Sequence, residues 1–86
     1  MSPDALCVMA LRDYRLDVTF VTGERRRFDM KPLLGYPAFA ALADEDLFRS
    51  AHVVLGVVTW TDEIDLSPDT LYLKSVPLDE HDPVSA

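Results

Sequence analysis

Four carboxylates stand close together in the C-terminal part of the chain: Asp62, Glu63, Asp65 and Asp69. Ca²⁺ and Mg²⁺ select such oxygen-rich clusters, and a cation held there would supply Lewis-acid chemistry. The spacing departs from an EF-hand loop, which needs a glycine at its central turn and a glutamate at its last position. A plainer assignment accounts for all four. Asp62 and Glu63 make a turn, Asp65 is the outward residue of a strand, and Asp69 sits in the first turn of a helix, where the dipole favours an acid. Cys7 is the lone cysteine and lies in the apolar run Ala5–Leu11 with no histidine nearby, so a buried strand residue is expected rather than a nucleophile. His52 has no second His or Cys beside it and reads as a strand-end residue. Asp79, Glu80, His81 and Asp82 fall in a polar tail and read as solvated. No catalytic residue, metal ligand or cofactor is assigned on these grounds.

The run Arg25-Arg26-Arg27 could bind phosphate. In a strand, however, alternation sends Arg25 and Arg27 to one face and Arg26 to the other, so the three do not form one patch. Charge across the chain points the same way. The formal net charge is −7. Residues 1–31 carry six basic against five acidic residues, and residues 32–86 carry two against ten. Nucleic-acid affinity rests largely on phosphate neutralisation, so no nucleic acid is expected. A basic protein partner suits this balance better.

At 86 residues, 49% of them apolar, the chain is long enough for one domain with its own core and too short for two. The run Ala5–Leu11 is too short for a signal peptide and follows Asp4, where a positive segment would be needed. No run approaches the ~20 apolar residues of a membrane span, and a lone cysteine fits a reducing cytoplasm. Residues 1–4 are expected to fray, 5–76 to form the domain, and 77–86 to be a flexible acidic tail.

The elements that must position these residues follow from periodicity. Ala5–Leu11 reads as a strand covered on both faces. Tyr14 to Phe20 alternates apolar and polar residues, and Glu24 to Met30 forms its partner strand. A two-residue Thr22-Gly23 loop would set core residues opposite arginines. A three-residue loop, Val21-Thr22-Gly23, instead sets Leu16 opposite Phe28, Tyr14 opposite Met30, Asp17 opposite Arg27, and Arg15 opposite Asp29. Gly23 then takes the left-handed position that such a loop requires. Lys31 to Tyr36 is an irregular link. Pro37 to Leu42 is helical, and Asp44 caps a second short helix that lays Leu47 and Phe48 over the sheet. His52 to Trp60 splits at Leu55-Gly56 into two strands. Ile64 and Leu66 alternate with Asp65, and Ser67-Pro68-Asp69 starts a last, short helix ahead of Pro77. The expected fold is α+β: a small antiparallel sheet of four to five strands with two to three short helices packed on one face.

This order of signals resembles a bacterial family known as domain of unknown function 2442. The residues that carry the resemblance are Leu16-x-Val18-x-Phe20, Gly23-Glu24, Phe28-Asp29, Pro32-Leu33-Leu34, Phe39-x-x-Leu42, Asp44 with Leu47-Phe48, Trp60, and Asp65 through Tyr72. They span roughly residues 6 to 73. Thr61-Asp62-Glu63 departs from the glycine-containing turn of many members, and Ser67 replaces a frequent acid. The resemblance implies an α+β fold and brings no established activity or catalytic residue. Some relatives carry an added helix-turn-helix, and others lie beside small proteins in what look like toxin–antitoxin pairs.

The resulting expectation is a non-catalytic, antitoxin-like interaction module that binds a small basic protein or a second copy of itself. Trp60 and Tyr72 are the candidate anchors, a place in the core being the commoner role for such side chains, and Asp62, Glu63, Asp65 and Asp69 are their acidic surround. A carboxylate enzyme using a divalent cation is the alternative, and nucleic-acid binding through Arg25–Arg27 is a weaker one.

Overall fold

The computed structural model describes residues 2–78, and the tail residues Asp79, Glu80, His81 and Asp82 lie outside them. The chain forms β1 (Ala5–Leu11), β2 (Arg15–Phe20), β3 (Arg25–Asp29), α1 (Glu45–Arg49), β4 (His52–Val54), β5 (Val57–Thr61), β6 (Ile64–Leu66), α2 (Pro68–Lys74) and β7 (Val76–Pro77). Short 3-10 turns cover Arg12–Tyr14, Lys31–Leu33 and Pro37–Ala43. The fold is α+β, with two antiparallel sheets where the sequence predicts one: β1-β2-β3-β7 and β4-β5-β6.

The β2–β3 hairpin has the register that parity demands. Leu16 faces Phe28, Asp17 faces Arg27, Arg15 faces Asp29, and Thr19 faces Arg25. Gly23, at φ 90°, takes the left-handed place in the loop. Ala5, Leu16, Val18, Phe20, Phe28 and Met30 are buried on the inner side. They meet Val58, Trp60 and Leu66 of the second sheet, together with Leu42, Phe48 and Leu71, in a single core.

Two local devices set the helices. The Asp44 carboxylate accepts the Asp46 N–H at 3.0 Å, capping α1, and Phe48 goes into the core. The Ser67 hydroxyl accepts the Thr70 N–H at 3.2 Å with Pro68 at the first helical position, and Leu71 is buried. The segment Pro37–Ala43 is helical as expected, but as 3-10 turns, with Leu42 as its buried residue.

Three further findings differ from the sequence expectations. β1 carries a bulge: Ala5 pairs with Phe20 but Cys7 with Thr19, two steps on one strand against one on the other. An inserted residue switches faces, so Val8 and Ala10 turn inward opposite Val18 and Leu16, while Cys7 and Met9 turn outward. Cys7 is therefore exposed rather than buried, as are Leu6 and Met9. The start of the chain, expected to fray, makes contacts: the Ser2 N–H donates to Asp69, and the Asp4 carbonyl accepts the Val21 N–H. Pro77, assigned to the tail, pairs with Arg26 as part of β7.

Candidate functional site

Among the described residues, the expected aromatic anchors turn inward. Trp60 lies where the β5–β6 pairing shifts register, between Thr59 and Thr61, and it is buried with Val58, only 4% exposed. Its indole N–H donates to the Phe48 carbonyl at 2.9 Å, and its ring stacks on Phe48 at 6.3 Å between centroids. This joins β5 to α1 and commits the Trp60 ring to the core. The polar threonines on either side carry the signal for this placement in the sequence.

Tyr72 is half-buried and engaged within the molecule. Its ring lies 4.5 Å from the Arg26 guanidinium, and its hydroxyl donates to Glu24 at 2.8 Å. Arg26 faces the core side opposite Val18. It donates to the Ser75 hydroxyl at 2.6 Å, the Ser75 carbonyl at 2.8 Å and Glu24 at 2.9 Å. These groups clasp α2 and β7 to the β3 edge. The Tyr72 hydroxyl, then Arg26, hold the Glu24 carboxyl below its ordinary value, and the Glu24 carboxylate raises the Tyr72 phenol in return.

The arginine run is divided. Arg27 lies on the outer face, where it donates twice to Asp17, at 2.7 and 3.0 Å, while Arg25 stands opposite Thr19 on that face. Arg26 is on the other side, inside the clasp.

The four carboxylates also separate. Asp62 and Glu63 form the β5–β6 turn, Asp65 faces outward on β6 opposite Thr59, and Asp69 lies on α2. The Ser2 N–H holds the Asp69 carboxyl below its ordinary value. Among the described residues, no group of three or more His, Cys, Asp or Glu side chains is placed to hold a metal ion. No described helix is long and apolar enough to cross a membrane.

What the fold does assemble is the outer face of β4-β5-β6. Cross-strand neighbours share a face, which puts His52, Val54, Val57, Thr59 and Asp65 together there. They line an open depression of about 490 Å³ that runs on to Leu55 at one end and Asp62 at the other. Leu55 and Gly56 make the two-residue β4–β5 turn, both with positive φ, 50° and 83°. Asn-Gly is the favoured pair in such a turn, yet a leucine holds the first position and is 95% exposed. Asp62, Glu63 and Asp65 form no ion pair with any described residue, and no lysine or arginine lies between Ser50 and Leu73. The depression thus has an apolar end, a polar middle and an uncompensated acidic end. Asp62 and Asp65 line it, with Glu63 in the adjoining turn, while Asp69, Tyr72 and Trp60's indole N–H serve the fold. Leu55, which the sequence marks only as a turn position, is the added member.

A family model described as "Protein of unknown function (DUF2442)" matches residues 6–77. A solved structure, "Putative DNA Binding Protein NE0471 from Nitrosomonas europaea ATCC 19718", is similar at 32% identity and a TM-score of 0.75, over 85% of this chain and 48% of that one. This chain spans about half the length of that protein. No curated protein matches it.

Proposed function

The chain belongs to the DUF2442 family, and we propose that it is a non-catalytic, antitoxin-like interaction module that binds a basic partner protein. The observation that carries this reading is the outer face of the second sheet. It combines exposed apolar side chains with carboxylates that no described cation neutralises. An acidic surface of this kind steers a cationic partner and selects against an anionic one.

The N. europaea protein's name raises DNA binding for that protein. About half of it has no counterpart here, and this chain's net charge of −7 opposes binding to a polyanion. The arginines of β3 are divided between two faces, with Arg27 engaged by Asp17 and Arg26 by Glu24 and Ser75.

The test is native purification of the protein from its own host, with mass spectrometry of the eluate and an assay for nucleic acid. The expected result is a stoichiometric basic protein that dissociates as rising salt screens the charges. Recovery of the chain alone, or with nucleic acid in place of a protein, would overturn the reading.

A further inference from the structure

We propose that the outer face of β4-β5-β6 docks a partner segment carrying an apolar residue and a lysine or arginine about 14 Å apart, the length of β5 by strand rise. The apolar residue sits against Val54 and Leu55, and the cation sits between Asp62 and Asp65. This deepens the reading above and rests on it.

Three features specify the occupant. The first is the apolar end. Val54 and Leu55 are both exposed large hydrophobic residues, and they adjoin along one depression. The second is charge. The depression is lined by Asp62 and Asp65, with His52 the only basic side chain among the described residues that line it, and the His52 ring contacts the Ser50 carbonyl at 2.9 Å. Asp4, packed against Gly56, adds a carboxylate behind the apolar tip. A cationic segment is the complement, and an acidic one is repelled. The third is size. Three strands at about 4.8 Å spacing give a face about 10 Å across, the width of one extended segment or one helix. The two ends then read positions about four residues apart in an extended segment, or about nine apart in a helix.

The probe is a randomised twelve-residue peptide library displayed on phage, selected against the full chain and then measured as synthetic peptides. Enriched peptides are expected to share an apolar residue and a Lys or Arg at one of those two spacings. Their affinity should fall about tenfold or more in Leu55→Asn and in the double variant Asp62→Asn/Asp65→Asn. It should be unchanged in Met9→Ser, on the outer face of the first sheet. Leu55→Asn relieves a backbone cost, so its loss of binding cannot be ascribed to unfolding. If cationic peptides enrich but bind both variants like the wild type, the docking site is refuted and the basic-partner reading stands. If the enriched peptides lack basic residues, or none enrich, both fall.

Discussion

Leu55 offers a case in which removing a large apolar side chain should stabilise the protein. Its φ of 50° lies in the left-handed region, where a side chain with a Cβ crowds the following carbonyl at a cost of roughly 1–2 kcal/mol. Asparagine tolerates this region and is favoured before glycine in a two-residue hairpin turn. At 95% exposure, Leu55 gains almost nothing from burial to offset the cost. Leu55→Asn is therefore expected to add about 1 kcal/mol, which for a domain of this size raises Tm by about 4–8 °C. Leu55→Ala keeps the Cβ in the same backbone conformation and should leave Tm close to wild type, separating strain from exposure. Thermal unfolding followed by circular dichroism measures both, and a urea titration should give an unchanged slope, reporting a native-state effect. A fall in Tm for Leu55→Asn would refute the reasoning, because Leu55 would then have to make folded-state contacts that its exposure denies.

Other perturbations test the rest of the structure. Trp60→Phe removes the donor to the buried Phe48 carbonyl and should cost about 1–3 kcal/mol by urea titration; a neutral result would place the indole outside the core. Gly56→Ala must hold φ at 83° and would bring a Cβ within 2.7 Å of Asp4. It should lower stability by about 1–2 kcal/mol, and Asp4→Ala should restore only the steric part. The folded state depresses the Glu24 pKa through Tyr72 and Arg26, so the folded protein binds this proton less readily than the unfolded chain. That stabilisation is present above the ordinary glutamate value and is lost as pH falls through the lower folded value. Glu24→Gln should flatten this part of the acid-unfolding curve, and an unaltered curve would remove Glu24 from the clasp. Millimolar Mg²⁺ or Ca²⁺ should leave Tm unshifted, since ligand binding to the native state must raise it; a rise would revive a cation site at the carboxylates.

The legible parts of this fold are those that local chemistry or parity decides. Leu16 to Phe20 and Arg25 to Phe28 admit one register that keeps apolar residues together and pairs Asp17 with Arg27, and that register is present. Asp44 and Ser67 are caps whose partners lie two and three residues away. The illegible parts depend on distant residues. The bulge that turns Cys7 outward is a pairing choice between β1 and β2, and no residue in Ala5–Leu11 announces it. Strand β7 is two residues long and exists through its pairing with Arg26 and Arg27. The clasp joins Arg26 to Tyr72 and Ser75, 46 and 49 positions away in the chain.

Residue type alone leaves Trp60 open between core and interface, because aromatic residues dominate both. Its neighbours favour the core: Val58 and Trp60 are buried, while Thr61 is exposed. The same alternation sends Asp65 out while Ile64 and Leu66 turn toward the core. Trp60 and Asp65 thus lie near one another in sequence yet serve opposite sides of one thin sheet. The inner side ties the second sheet to Phe48 and closes the core. The outer side keeps carboxylates that no described lysine or arginine pairs with, and an exposed leucine in a turn better suited to asparagine. A sequence shaped by stability alone would favour Asn-Gly at that turn and a Lys or Arg beside Asp65. Its departure from both on the same face is why binding, rather than folding, is the constraint to test there.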